Sequence, residues 1–254
     1  MERRPLGDGL VALVSPAMER RGVLAAFTER TGGASPPPFD SLNLGLRTGD
    51  HPGRVMANRR RLVAALGIGP FALGEQVHGA RLVRVGPHRA EAGFQRAGEA
   101  VPGADALAAT RSRRPVAVLV ADCVPLVLAS DGLVVAVHAG WRGLAAGIVD
   151  RALSAFQGRR SSAAVGPAIG PCHYEVGEDV AAAVESGSSG GALVERRGGR
   201  LFLDLRGTVA RSLREAGLRF VEVSEECTAC QADRFFSHRR DGETGRQAAV
   251  AMFL

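Results

Sequence analysis

Interleaved strand and helix signals place this 254-residue chain in the mixed α and β class. Three observations carry that reading. Short valine-rich apolar runs are bounded by turn-forming residues, as buried strands are. Other segments repeat apolar residues at helical spacing and close on a glycine. With 46% apolar residues the chain can bury a full core, and no repeat or long linker divides it, so residues 1–254 are expected to form one domain.

The elements follow in order. Gly32–Phe39, GGASPPPF, reads as a proline-rich loop. Arg54–Leu66 carries Val55, Met56, Leu62, Val63 and Leu66 at helical spacing, with a basic opposite face and Gly67 at its end. Gly74–Ala80, GEQVHGA, holds His78 in a short apolar segment that continues as Arg81–Val85. Val116–Val120 and Leu133–Val137 read as buried strands, bounded by Arg113-Arg114-Pro115 and Ser130-Asp131-Gly132. Gly143–Gln157 reads as a helix closed by Gly158. Val180–Glu185 starts a third helix, which Ser186–Gly191, SGSSGG, breaks as a mobile surface loop. Asp204–Ala216 is a fourth helix, with Asp204 as N-cap and Gly217 beyond its end.

Composition narrows the functions. Apolar runs fall short of the roughly 20 residues that cross a bilayer, and the N-terminal MERRPLGDGLVALV is too interrupted for a signal peptide. A soluble cytoplasmic enzyme is the expectation. The net charge of +6 invites a nucleic-acid partner, but all 32 basic residues are arginine, scattered with few aromatics between them. That is a poor platform for stacking bases, and it reads as a solvated surface. The absence of lysine excludes a Walker A loop, a Schiff-base lysine and a pyridoxal-phosphate site.

The chemistry concentrates in Ala121–Gly143, ADCVPLVLASDGLVVAVHAGWRG, which sets Cys123 after one strand and His138 at the end of another. If both strands share a sheet, their ends bring a thiol and an imidazole together. Such a pair serves either zinc or a cysteine hydrolase. His78 completes a Cys-His-His set, the three-ligand pattern of a catalytic zinc with an open fourth position. Asp122 could hold a ligand in place or act as general acid/base, and its alternative is a turn aspartate. Gly140-Trp-Arg-Gly143 opens a helix, where backbone N–H groups and Arg142 could take an anion. Trp141 could stack on a planar substrate. Gln76 alternates with His78 as residues on one strand face do, and Ser41 and Asn43 alternate likewise, which makes all three candidates for substrate binding. Cys227-Thr-Ala-Cys230 lacks a second pair, and Cys172 and His173 lie in a distant Gly-Pro-rich loop; a second metal site of Cys172, His173, Cys227 and Cys230 is the alternative, and the pair reads as peripheral and prone to a disulfide under oxidation. Phe235 and Phe236 are expected to bury while Arg239, Arg240 and Asp241 make polar contacts.

Eight ordered motifs resemble the YfiH-type laccase-domain family: TERTGGAS (Thr28–Ser35), FDSLNLG (Phe39–Gly45), EQVHG, GADAL (Gly103–Leu107), ADCVPLVLA, VAVHAGWRG, VGPAIGPCHYEVG (Val165–Gly177) and FFSHRRDGETGRQ (Phe235–Gln247). The resemblance implies an α+β fold of mixed β-sheets packed together with helices on the outer faces, an α/β/β/α layering. It implies zinc at His78, Cys123 and His138, with Arg30 contributing to the active site. It also implies phosphorolysis of adenosine, inosine, guanosine and S-methyl-5′-thioadenosine, with adenosine deamination. The family's other name implies copper and polyphenol oxidation instead. A metal-free Cys123–His138 hydrolase acting on cell-wall precursors is a third reading. Six histidines are too few for a multicopper oxidase.

Overall fold

The computed structural model describes residues 1–110, 113–159 and 161–254. In chain order the strands are β1 Glu2–Gly7, β2 Leu10–Val14, β3 Val23–Thr28, β4 Ala72–Leu73, β5 Leu82–Arg84, β6 Ala106–Thr110, β7 Val116–Val120 and β8 Val124–Ser130. They continue as β9 Leu133–Ala139, β10 Ser161–Val165, β11 Glu175–Val176, β12 Val194–Arg197, β13 Arg200–Leu203, β14 Phe220–Val223 and β15 Gln247–Phe253. The helices are α1 Pro16–Glu19, α2 Pro52–Leu66, α3 Trp141–Ala145, α4 Ile148–Ser154, α5 Glu178–Gly187, α6 Leu205–Glu215 and α7 His238–Asp241.

Two six-stranded mixed sheets form the centre, in the orders β1-β2-β3-β15-β7-β4 and β14-β10-β8-β9-β6-β5, and β11-β13-β12 make a small third sheet. Phe27, Val116, Val118, Ala249 and Ala251 of the first sheet pack on Val127, Val134, Ala136 and Ala164 of the second. On the outer face of the first sheet, Leu62 of α2 meets Ala117, Ala248 and Val250. On that of the second, Leu144, Ile148, Val184 and Val209 from α3, α4, α5 and α6 cover Leu126, Val135 and Val137. The layers are therefore helix, sheet, sheet, helix, and a sheet covered on both faces needs apolar residues without alternation. Val116–Val120, Leu133–Ala139 and Gln247–Phe253 have that character. Among the described residues no helix is long and apolar enough to cross a membrane.

The two valine-rich strands do not share a sheet. β7 lies in the first and β9 in the second, and the chain crosses between them through residues 121–123 before entering β8. What brings Cys123 to His138 is the β8–β9 hairpin, whose register sets Val124 opposite Ala139 and Pro125 opposite His138.

Helix boundaries shift for local reasons. α2 starts at Pro52, earlier than its apolar spacing predicts, because His51 Nδ1 accepts the Gly53 N–H and Pro52 fits the first turn. Its basic face is not all solvated: Arg59 is buried, donating to the carbonyls of Leu44, Gly93 and Phe94. The expected helix over Gly143–Gln157 is split into α3 and α4 at Gly147, which adopts φ +75°. The expected third helix runs from Glu178 to Gly187. α6 is N-capped by Asp204, which accepts the Gly207 N–H.

The serine-glycine segment after α5 is packed rather than a free surface loop. Ser188 is buried and shares a 3.0 Å hydrogen bond with Ser212, whose hydroxyl also accepts the Gly190 N–H. Gly187 meets α3 so closely that a Cβ would fall on the Ala145 carbonyl. Gly187→Ala should therefore cost about 1–3 kcal/mol in urea unfolding, the usual penalty of overpacking. Gly69→Ala, where nothing lies within 4 Å, should stay within about 0.5 kcal/mol of the parent. Equal stability of both variants would contradict this packing.

Candidate active site

One edge of the second sheet gathers the reactive groups. In the strand order β8-β9-β6-β5, Cys123 precedes β8, His138 lies near the end of antiparallel β9, Asp105 precedes β6, and His78–Ala80 lead toward β5. The Cys123 sulfur is 3.9 Å from His78 Nε2, the His78 and His138 rings meet edge-on with centroids 4.7 Å apart, and one donor atom from each of the three residues lies within 4.8 Å of the others.

Asp105 organises this cluster, and sequence reasoning passed over it. Its carboxylate is fully buried and accepts the backbone N–H groups of Val77, His78 and Gly79 at 3.1, 2.9 and 2.8 Å. Its Oδ1 also lies 2.8 Å from His138 Nδ1, while its backbone carbonyl accepts the His138 N–H. That contact fixes the imidazole and leaves Nε2 for the cleft, as in carboxylate-oriented metal-binding histidines. An aspartate between small apolar residues at the start of a strand, inside GADAL, was the available signal.

Burial would raise the Cys123 thiol, but the His138 and His78 imidazoles outweigh it and bring it down to about 6. Burial would also lower His138, but the Cys123 sulfur and Asp105 raise it to about 9. A poised thiolate beside two imidazoles is a donor set suited to zinc. Gly140 completes the enclosure: a Cβ there would sit 2.9 Å from the Cys123 sulfur and 3.0 Å from His78 Cδ2.

The cluster opens into a cleft of about 550 Å³ at the seam of the two sheets. Arg47, Arg59, Arg142, Arg239 and Arg246 line it, with Trp141, Tyr174 and His238. The Arg142 guanidinium lies over the Trp141 ring at 4.4 Å, and that of Arg239 over Tyr174 at 4.9 Å. Arg246, missed in the sequence, is lowered by burial and supported by the charges of Cys123 and Asp122. Burial brings Arg59 down to about 10, still cationic at neutral pH. A larger cavity of about 780 Å³, near Phe156 and Phe220, lies away from these residues.

The remaining candidates divide. Asp122 lines the cleft at φ +85°, but its carboxylate accepts the Thr228 hydroxyl at 2.6 Å and the Arg239 N–H at 2.7 Å, so it ties two loops to the Cys123 turn. Gln76 also lines the cleft, yet no strand carries it together with His78: both have positive φ, and the Gln76 amide pairs with the backbone N–H and C=O of Leu119. Arg30, Ser41 and Asn43 do not line the cleft. Arg30 donates to the Asp40 carbonyl and carboxylate and to the Ala232 carbonyl, and it covers the Phe236 ring. Ser41 bonds the Arg30 carbonyl and the Gly33 N–H. Asn43 is buried, donating to Thr48 and Asp50 and accepting from Gly45 and Arg246. These three fix loop shape because the segment is a series of turns rather than an alternating strand. Phe235 and Phe236 are buried, and Arg240 pairs with Asp241 and the Phe235 carbonyl. Nor is Cys227-Thr-Ala-Cys230 peripheral: its two cysteines stand with Cys172 and His173 in a second four-residue cluster.

The family model described as multi-copper polyphenol oxidoreductase laccase matches residues 24–254. The chain is 40% identical to the purine nucleoside phosphorylase YlmD of Geobacillus stearothermophilus over 244 residues, 90% of this chain and 89% of that one. It is 37% identical to the purine nucleoside phosphorylase YfiH of Escherichia coli, over 92% and 95% of the two chains. The crystal structure of YlmD from Geobacillus stearothermophilus superposes with a TM-score of 0.90 at 36% identity, covering 99% and 98%.

The Asp105 carboxyl also couples the site to pH. Burial would raise its carboxyl, but His138 and the Gly79 and Val77 N–H groups hold it below the ordinary 3.8. A folded value below the unfolded one gives stability that is full above the unfolded pKa and lost as pH falls through the folded value. Asp105→Asn should therefore flatten the acid limb of the Tm–pH profile. It should also weaken metal affinity about 10- to 100-fold in chelator competition, the usual effect of removing a ligand's orienting partner. An unchanged acid limb with unchanged affinity would remove Asp105 from this role.

Proposed function

The chain belongs to the multi-copper polyphenol oxidoreductase laccase family, and from that membership we propose that it is a zinc-dependent purine nucleoside phosphorylase. The observation that carries the reading is the His78–Cys123–His138 cluster in the wall of an arginine-lined cleft. The proposed substrates are adenosine, inosine, guanosine and S-methyl-5′-thioadenosine with phosphate, and the same site deaminates adenosine. Small molecules rather than nucleic acid or membrane are its partners, and it acts in the cytoplasm as a monomer.

A cleft of about 550 Å³ suits a nucleoside. His78, Cys123 and His138 would hold the metal, leaving its fourth position to the cleft. When bound, zinc supplies the Lewis acidity that activates phosphate or water at neutral pH. Arg142, with Arg239 and Arg246 in the same cleft, would hold phosphate near the ribose anomeric carbon, and its planar fork of donors suits two phosphate oxygens. Trp141 and Tyr174 offer ring faces to the base. Asp105 holds the His138 ring, Asp122 anchors the cysteine turn, and Gln76 pins the cleft wall to β7. Arg30 enters as a clamp on the turn ending at Ser41 rather than as a phosphate ligand.

Two alternatives have observations behind them. Cys123, His138 and Asp105 resemble a nucleophile, base and orienting carboxylate, the arrangement of a metal-free hydrolase. His78 favours the metal instead, since it adds a third donor that such a triad does not use. A His₂Cys set also suits copper. Of the six histidines, however, His51 caps α2 at the surface, His88 sits in an exposed turn and His173 joins the second cluster, which leaves too few for a multicopper centre.

Chelation should abolish release of free base from inosine with phosphate, and zinc should restore it. Restoration by copper alone, with oxygen consumed on a phenolic substrate, would establish the oxidase instead. Activity indifferent to chelation would return the site to a cysteine hydrolase. Separately, Arg142→Ala should lower phosphorolysis about 10- to 100-fold, the loss of one charge-assisted contact, and lower adenosine deamination less. Equal losses in both reactions, at unchanged metal content, would mean that Arg142 holds the nucleoside or the fold rather than phosphate.

A further inference from the structure

Two turns far apart in sequence meet on the side of the molecule behind Asp122. The turn after β10 carries Cys172 and His173, and the turn after β14 carries Cys227 and Cys230. They are joined by an isolated bridge between Ala168 and Cys227 and by the Thr228 N–H donating to the Ala168 carbonyl. All four cysteines of the chain are free thiols, three of them in this cluster.

Five of the six separations among the donor atoms are 3.3–3.9 Å, and all four atoms lie within 4.8 Å of one another, as the corners of a small tetrahedron would. The Cys172 sulfur lies 3.5 Å from that of Cys227 and 3.5 Å from that of Cys230. His173 Nδ1 lies 3.3, 3.4 and 3.9 Å from the sulfurs of Cys172, Cys230 and Cys227. Zinc bound to sulfur at about 2.3 Å and to nitrogen at about 2.0–2.1 Å sets ligand atoms roughly 3.5–3.8 Å apart. A disulfide brings two sulfurs to about 2.05 Å and engages only two of the three thiols, which leaves the third and the imidazole unexplained. The Gly170 N–H donates to the Cys227 sulfur at 3.2 Å, a backbone contact that favours thiolate over thiol.

We propose that Cys172, His173, Cys227 and Cys230 form a second metal site, a closed Cys₃His zinc centre that is structural rather than catalytic. Four protein donors saturate the ion and leave no open position, in contrast to the three donors in the cleft. The site clips together two loops that each serve the cleft. Tyr174, which lines the cleft, follows His173 directly, and Thr228, which donates to Asp122, sits between the two cysteines. Each ligating thiol releases its proton to solvent as the metal binds, and no oxidant or reductant takes part. The proposal does not depend on metal in the cleft.

The test uses the full chain purified without a tag in reducing buffer and supplied with zinc. Cys123→Ala, with the cleft cluster broken, should still carry one zinc per chain by elemental analysis. A mercurial reagent that captures thiolates should release that zinc to a chromophoric chelator. Cobalt substituted into the same variant should show the intense visible bands and thiolate charge transfer of a tetrahedral, thiolate-rich site. Cys227→Ser with Cys230→Ser, made on the unmodified background, should lose one equivalent and melt at a lower temperature. A Cys123→Ala protein that is folded by circular dichroism but holds no zinc would overturn the proposal. So would a cobalt spectrum without thiolate charge transfer. A disulfide between Cys172 and either partner that persists in reducing buffer, found by peptide mass, would replace the metal with a redox pair. Zinc retained in Cys123→Ala when cleft activity proves insensitive to chelation would uphold this site while removing metal from the catalytic one.

Discussion

A buried carboxylate with no water to solvate it must find its partners within the chain, and Asp105 finds four. Three backbone N–H groups from residues 77–79 and the His138 ring converge on it. An unpaired charge at that position would cost several kcal/mol, so the loop and the imidazole are held in one arrangement. The positive φ of His78 belongs to the same constraint, since the loop must curl for successive amides to face one carboxylate. Two of the three cleft donors thus depend on one residue that does not itself line the cleft.

The sheets supply the rest. The Cys123 turn is where the chain leaves the first sheet and enters the second, so it is tethered from both sides. Gln76 fixes Leu119 in β7, and Asp122 accepts from Thr228 and Arg239 beyond the second sheet. A seam between two covered sheets is one of the few places where polar groups can gather beside a deep apolar core without disrupting it. The arginines reach that seam from several segments, Arg47 and Arg59 near the N-terminal half and Arg239 and Arg246 near the C-terminus. Anion attraction is therefore a property of the assembled cleft, and no single segment carries it.

The two thiol clusters differ in a way that bears on their chemistry. In the cleft, one sulfur and two imidazoles leave room for a substrate, with Gly140 keeping the approach clear. In the other cluster, three sulfurs and one imidazole would fill all four positions of an ion. Thr228 links them, lying between Cys227 and Cys230 and bonded to the residue before Cys123. A rigid second cluster would limit how far Asp122, and with it the cysteine turn, could shift during turnover.

Local sequence determined the elements whose signals are themselves local. Valine-rich runs between turn formers marked β7 and β9, helical spacing and a following glycine marked α2, and the Asp204 cap marked α6, because such preferences act within a few residues. His78, Cys123 and His138 were legible as reactive residue types and, with the ordered motifs, as a set. Asp105 and Arg246 were printed within those motifs, but an aspartate near a strand and an arginine near a terminus carry no local mark of their partners. Gln76 reaches the cleft wall, whereas Ser41 and Asn43 bond within their own loop; alternation implies a shared face only in a strand, and these segments turn. Arg30 left the cleft because its donors found nearer acceptors in Asp40 and Ala232. Cys172, His173, Cys227 and Cys230 could be grouped as reactive types, but only tertiary structure sets the Cys172 and Cys227 sulfurs 3.5 Å apart across 55 residues, or separates β7 and β9 into facing sheets. Strand pairing and loop closure join distant segments through the burial of whole faces, and no window of sequence contains both partners.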